Sequence, residues 1–183
     1  MTVFTFITVR TGKVHRLHRG SAYCHEKFPL LHHCFTDNTQ LLARVAVNDV
    51  KLARRCLESC VTDIHDWCTR RRLQLNPEKT ELIWFGSRAN LDRLQAMDTT
   101  IHLDQVDIKP IYCVRDLGVL LDSSLSMYEH ITKVTLTCFF HLWRLRKLSR
   151  ILDIDDRKRH VCVLVLTRVD YCNSALAGLS DTA

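Results

Sequence analysis

The chain has 183 residues, of which 46% are hydrophobic and 25% charged, an ordinary composition for a soluble globular protein of one domain or slightly more. This composition excludes a globally disordered chain, and the five Gly and three Pro exclude a fibrous or linker-dominated one. The net charge of +6 falls largely in two basic clusters, at residues 10–27 and 141–160. Such clusters suit a polyanionic partner, although solvated helix faces are the alternative.

The N-terminal half begins with an apolar segment, MTVFTFITV, which is too short to span a bilayer, so we predict a strand or a disordered end and no membrane association. Residues 1–27 have no clear periodicity and are assigned no fold. Two strands are predicted around a turn at 36–38, which places Asp37 at the tip of a hairpin. Apolar residues at helical spacing then predict a helix from an N-cap at Asp49 to about Arg72, followed by a strand, ELIWFG.

The C-terminal half continues with a polar connector and two predicted hairpins, TIHLDQVDIKP and YCVRDLGVLLD, the second with Gly118 near its bend. Ser126 is predicted to cap a helix, and Asp155 to open a final helix reaching about Thr167. The order of elements predicts an α+β fold whose C-terminal part is helical and basic. The predicted buried stripe of the Ser126 helix consists of Ile131, Val134, Cys138, Leu142, Leu145 and Leu148.

The nine cysteines contain no Cys-x-x-Cys pair, the spacing typical of structural zinc sites. Cys56, Cys60 and Cys68 fall on the apolar side of a predicted helix, where free Cys behaves as a small hydrophobe. We therefore predict reduced core thiols and an intracellular protein, cytoplasmic or nuclear.

A carboxylate at the tip of a tight hairpin is well placed to hold a divalent cation. The two strands fix the position of Asp37, the tip exposes it, and Mg²⁺ prefers hard oxygen ligands. Nucleotide polymerases use this arrangement to hold two metal ions, which activate the attacking hydroxyl and neutralise the leaving phosphates. The alternative is a plain turn, because Asp, Asn and Thr are common turn formers.

Four strings occur in order along the chain: FTDNTQLL, LQLNPEKTELIWFGS, VRDLGVLLDSSLSMYEHI and RVDYCNSALAGL. Together they resemble the reverse transcriptase (RNA-directed DNA polymerase) of non-LTR, LINE-type retrotransposons. In that family the first string normally reads Tyr-Ala-Asp-Asp-Thr-Gln-Leu, the second Leu-Asn-x-x-Lys-Thr-Glu, and the third Leu-Gly-Val-x-Leu-Asp. The resemblance spans roughly Phe28 to Leu179. It implies part of a right-hand palm, an antiparallel sheet with a packed helix, at residues 28–122, and a helical thumb at 123–183.

The resemblance also implies roles for individual residues. Asp37 matches the first Asp of the family's metal hairpin, a direct ligand of Mg²⁺, and Asn38 stands where the second Asp is expected. Lys79 matches a lysine near the incoming triphosphate, with a solvated loop lysine as the alternative. Leu117 and Gly118 would form the hairpin that grips the primer end.

The partners implied are an RNA template and an RNA–DNA duplex, whose phosphates the basic thumb helices would contact. On the helix after Ser126 the cations that lie off the predicted buried stripe are Lys133, Arg144, Lys147 and Arg150. The three-residue spacing of the last three predicts one shared face, with Arg146 pointing elsewhere.

Two departures from the family pattern predict a loss of catalysis. The palm needs a further Asp from a strand upstream of the metal hairpin, and residues 1–27 do not resemble that segment. Asn38 removes a second negative charge that would compensate the two cations. We therefore expect a reverse transcriptase fragment that is inactive alone. The alternatives are a non-catalytic nucleic-acid-binding remnant that uses the basic thumb helices, and a translated relic without function.

Overall fold

The computed structural model describes residues 2–10, 30–35, 38–73, 75–103 and 106–176. Within these ranges the chain has a mixed α+β fold, with one four-stranded sheet, two hairpins and several helices. It divides into two compact units. The first comprises Met1–Val114 with Ser123–Leu125, and the second comprises Arg115–Asp122 with Ser126–Ala183.

The first unit is built on a four-stranded antiparallel sheet with the order β2-β3-β1-β4. Its strands are β1 (Thr2–Arg10), β2 (Leu30–Phe35), β3 (Asn38–Ala46) and β4 (Glu81–Phe85). The predicted hairpin is confirmed by the antiparallel pairing of β2 with β3, which ends at Phe35 opposite Asn38. Thr36 and Asp37, which connect these strands, lie outside the described residues.

The segment that was predicted as either a strand or a disordered end is the strand β1, which lies between β3 and β4. Its residues are mostly β-branched or aromatic, the types that pack best on a pleated surface. Val3, Ile7 and Val9 are fully buried in the core. The sheet therefore holds a partner for β3 that the sequence pattern did not assign to it.

Helix α1 (Val50–Arg70) packs on this sheet, as the apolar spacing predicts, and buries Val50, Leu57 and Val61. Asp49 occupies the predicted N-cap position, but its side chain accepts no cap hydrogen bond. Cys60 and Cys68, neither of them in a disulfide, are buried in the same core, and burial raises the pKa of Cys68.

The predicted polar connector after β4 is wrong, because residues there form helix α2 (Arg88–Gln95). The apolar side chains of α2 that pack on the core occupy a single helical turn, where Leu94 is buried and Leu91 is half-buried. The hairpin predicted next is confirmed as β5 (Ile101–Leu103) paired antiparallel with β6 (Val106–Ile108).

The second hairpin consists of β7 (Cys113–Asp116), which the division between the units crosses, and β8 (Val119–Asp122). The remainder of the second unit is helical, with α3 (Tyr128–Leu148), α4 (Ile154–Val161), a π-helical turn (Cys162–Leu166) and α5 (Thr167–Asp170). The N-cap of α4 is Asp153, two residues before the predicted Asp155, and it accepts a hydrogen bond from the backbone N–H of Asp156 at 2.7 Å. Among the described helices, none is long and apolar enough to cross a membrane.

Candidate nucleic-acid interface

The sheet of the first unit brings the predicted catalytic segment to one of its ends. Because β1 runs antiparallel to both neighbours, its last residue, Arg10, lies beside the start of β3 and near the start of β4. The register pairs Arg10 with Asn38, and Thr8 with Glu81. The connection that carries Asp37 is at this same end, although Asp37 itself lies outside the described residues.

Lys79 reaches the same end of the sheet by a different route. It is the last residue of a 3₁₀ turn (Pro77–Lys79) that leads into β4 and contacts β1. The backbone N–H of Lys79 donates to the side-chain oxygen of Asn76 at 3.3 Å, and the lysine is exposed. The topology thus places Lys79 near the start of β3, but its role toward a triphosphate stays a prediction.

The described residues at this end supply no carboxylate on the strand beside β3, whereas a two-metal polymerase centre is held by several carboxylates. β1 is the strand beside β3, and its sequence, TVFTFITVR, contains no carboxylate. Asn38 supplies an uncharged amide, and the residue opposite it, Arg10, is a cation. Glu81 lies on β4, which β1 separates from β3, so the backbones of these two strands are about 10 Å apart. Among the described residues, no group of three or more His, Cys, Asp or Glu could hold a metal ion.

Leu117 and Gly118 form the two-residue turn of the β7–β8 hairpin, so the predicted bend at Gly118 is confirmed. Both have positive φ, 44° for Leu117 and 93° for Gly118, as tight hairpin turns of this hand require. The Tyr171 hydroxyl donates to the carbonyl oxygen of Leu117 at 2.5 Å. The turn is therefore fixed from the C-terminal segment, and its grip on a primer end stays a prediction.

The start of α3 is held by a carboxylate together with the predicted cap, Ser126, whose hydroxyl accepts the backbone N–H of Tyr128 at 3.3 Å, one residue before the assigned N-cap position. Asp122 is fully buried and accepts hydrogen bonds from the backbone N–H groups of Ser126 at 2.9 Å and Met127 at 2.8 Å. Met127 is the N-cap, with φ of 60°, a left-handed conformation that a branched or bulky side chain disfavours. The carboxylate thus stabilises a strained turn and fixes where the basic helix begins.

His130 ties the first turn of α3 to the hairpin. Its Nδ1 accepts the backbone N–H of Leu120 at 3.4 Å, and the residue is buried. Burial, and then the nearby charge of Lys133, lower the pKa of His130. The imidazole is therefore held neutral at this contact.

The predicted binding cations are all exposed: Lys133, Arg144 and Lys147 on α3, and Arg150 in the turn that follows the end of the helix at Leu148. Arg146, which was predicted to point elsewhere, lines one shallow groove of about 400 Å³ together with Trp143, Lys147, Ser149 and Arg150. Arg144 does not line this groove, so the three cations predicted to share one face do not all meet there. The exposed positive charge at the C-terminal end of α3 is thus denser than predicted.

The predicted buried stripe of α3 is only partly correct. Cys138 and Leu145 are buried, but Leu142 and Leu148 are exposed. The elements that cover α3 within its unit, β8 and the helical segment 154–170, protect only the sector around Cys138 and Leu145.

The sequence reasoning also missed the opposite face of this helix, where aromatic and aliphatic side chains are exposed. The spacing of LTCFFHLW, with apolar residues three and four apart, was the available signal.

The first unit has a cleft of different character, with a volume of about 360 Å³. It lies beside β4 and α2, and its lining includes Trp84, Leu94 and Tyr112 but no charged residue. Because phosphate recognition depends on Lys and Arg, this cleft is unsuited to a nucleic acid.

Comparison with known proteins gives no relative from which a function could be transferred. No family model matches the chain, and no curated protein or solved structure matches it significantly. The assignment to a reverse transcriptase therefore depends on the four quoted strings alone.

Proposed function

We propose that this chain is a fragment of a non-LTR retrotransposon reverse transcriptase that binds nucleic acid and no longer polymerises it. The four strings support the descent, and their placement is compatible with a palm. The first string spans the β2–β3 hairpin of an antiparallel sheet with a helix packed on it, and the third spans the β7–β8 hairpin. The basic helices that follow correspond to a thumb.

The register opposite Asn38 is the observation that carries the loss of catalysis. A metal centre at this sheet end would need a carboxylate on β1, and Arg10 is the residue that β1 presents there. Arg10 thus brings a positive charge to a strand position where a metal ligand needs a negative one. With Asn38 uncharged as well, Asp37 is the sole carboxylate of the hairpin string FTDN.

The distribution of charge on α3 carries the binding function. From His130 to Leu152 the sequence holds five Lys and Arg and no Asp or Glu. An unbalanced basic run of this kind attracts a phosphate backbone, and each contact releases a condensed counterion.

Primer extension on an RNA template, with Mg²⁺ or with Mn²⁺, tests the first half of the proposal. We expect no product, and we expect that Asn38→Asp does not restore it, because the carboxylate on β1 is still absent. Extension by the parent chain that Asp37→Ala abolishes would contradict the proposal.

A salt titration of binding to an RNA–DNA duplex tests the second half. Replacing Arg144, Lys147 and Arg150 together by Ala should reduce the slope of log affinity against log salt by about two to three units. The matched control replaces three exposed cations of the first unit, Lys51, Arg55 and Arg88, which should leave the slope unchanged.

Absence of binding by the parent chain to any nucleic acid at low salt would contradict the binding function and favour the relic. A slope that falls equally in both triple variants would show that net charge, and not the α3 surface, determines binding.

A further inference from the structure

Helix α3 is apolar on two opposite faces, and its own unit covers one of them. The inner face holds the buried Cys138 and Leu145. The opposite side, which we call the outer face of α3, carries four large side chains that are more than half exposed: Leu136 (65%), Phe139 (65%), Phe140 (53%) and Trp143 (55%). Their spacing of three and four residues aligns them along one line of the helix.

Cations lie directly against the rings of this outer face. The guanidinium carbon of Arg144 is 5.6 Å from the ring centroid of Phe140, and the Nζ of Lys147 is 3.5 Å from that of Trp143. Both distances are within the range of cation–π attraction. The rings of Phe140 and Trp143 are therefore each paired with a positive charge that is itself exposed to solvent.

We infer that the outer face of α3 binds single-stranded nucleic acid, with unstacked bases lying on Phe140 and Trp143 and phosphates on Arg144 and Lys147. This inference rests on the proposed nucleic-acid binding and specifies its substrate. An exposed aromatic ring gains by stacking on a base only where the base face is free, as in a single strand. In a duplex both faces of each base are already covered.

Charge complementarity favours this occupant over the others that an apolar face can take. A second copy docked about a two-fold axis would set the cations of one outer face against those of the other. A neutral protein partner would cover the rings but leave Arg144 and Lys147 uncompensated.

The test compares a fluorescent single strand, such as oligo-dT, with an RNA–DNA duplex of equal length, by anisotropy at several salt concentrations. The variant Phe140→Leu with Trp143→Leu removes both rings but keeps an apolar side chain at each position and all the cations, and Leu favours a helix at least as well as Phe or Trp. For each stacked base that is lost, we expect this variant to bind the single strand about 5- to 150-fold more weakly. The slope of log affinity against log salt should not change.

Tyr128→Leu is the matched control, since Tyr128 is an exposed aromatic residue of the same helix, four turns from Trp143 and outside the outer face. It should bind like the parent chain. Circular dichroism should show the same helix content in all variants, because the altered side chains are exposed.

The outcomes separate this inference from the function on which it rests. Tighter binding of the single strand, lost in the ring variant alone, supports the inference. Equal binding of duplex and single strand, or an unaffected ring variant, overturns the inference and leaves nucleic-acid binding in place. No binding of either probe overturns both, as does ring-dependent binding to vesicles of phosphatidylserine and phosphatidylcholine without any binding of oligonucleotides.

Discussion

The two compact units of the chain differ in how far their apolar side chains are buried. In the first, β1, β3, β4 and α1 enclose one continuous core, in which Ile7, Leu57 and Leu82 are fully buried. In the second, the buried apolar residues of the described range are Val119, Met127, Cys138 and Leu145. Large apolar residues remain exposed along α3, and others, such as Ile151 and Val163, follow in the next helical segment.

This difference separates a region that is stabilised by its own packing from one whose surface is suited to a partner. Burial of apolar area contributes roughly 25 cal/mol per Å², so residues left in water contribute little to stability. Contiguous exposed apolar surface typically marks an interaction site. The same unit carries the basic run of α3, so charge and apolar exposure point to one surface.

The largest expected effect tests whether β1 belongs to the core of the first unit. Ile7→Ala removes a fully buried side chain between β3 and β4 and should reduce the free energy of unfolding by about 2–5 kcal/mol. Urea unfolding measures it. Leu136→Ala, the matched change on the outer face of α3, should cost about 0.5 kcal/mol or less. Similar losses from both variants would abolish the contrast between the units.

A smaller effect is expected at the buried carboxylate that begins α3. Asp122→Ala leaves the backbone N–H groups of Ser126 and Met127 without their acceptor and should cost about 1–3 kcal/mol. Amide hydrogen exchange should show faster opening in residues 119–148, with the four-stranded sheet unaffected. Asp122→Asn keeps one acceptor oxygen, so its stability should lie between those of the parent chain and Asp122→Ala. Faster exchange throughout the sheet would show that the units do not unfold separately.

The smallest effect is a dependence of the stability of α3 on pH, which comes from His130. Folding lowers the pKa of His130 from its ordinary 6.5, so the unfolded chain binds a proton more readily than the folded one. The stability from the neutral contact is therefore complete above about pH 6.5 and is lost as the pH falls toward the folded pKa. Hydrogen exchange of α3 at pH 7.5 and 5.5 measures this loss.

His130→Asn replaces the imidazole with an amide that can still accept the N–H of Leu120 but does not titrate in this range. In this variant the contact should therefore contribute equally to the protection of α3 from hydrogen exchange at pH 5.5 and at pH 7.5. A pH dependence that persists unchanged in this variant would assign it to another group.

Local patterns predicted the elements of this fold well, and non-local pairing limited the rest. The helix now defined as α1 and the hairpin around Gly118 follow from periodicity and turn residues that are close in sequence. The place of β1 depends on partners far along the chain, and no local signal specifies them. The register of β1 also pairs Arg10 with Asn38, which places a cation where a metal site would need a carboxylate. This pairing cannot be read from the sequence alone.

On α3 the sequence identified the cations but not how the apolar residues divide between its two sides. Leu142 fits the period of the buried stripe, yet burial depends on whether another element covers that sector. Phe140 and Trp143 fit a helical period equally well on the uncovered side. Periodicity detects both stripes and cannot tell which one a neighbour will cover.

The central position of β1 also affects how the chain reaches this fold. During synthesis β1 leaves the ribosome before both of its partners, and its pairing of Phe4 with Phe85 is impossible until β4 has emerged. Contacts so distant in sequence close slowly, because the intervening loop loses its conformational entropy first. Until then an apolar, β-branched strand has at least one edge unpaired, the kind of intermediate that aggregates or recruits chaperones. Expression of the folded protein should therefore be sensitive to growth temperature and to chaperone supply.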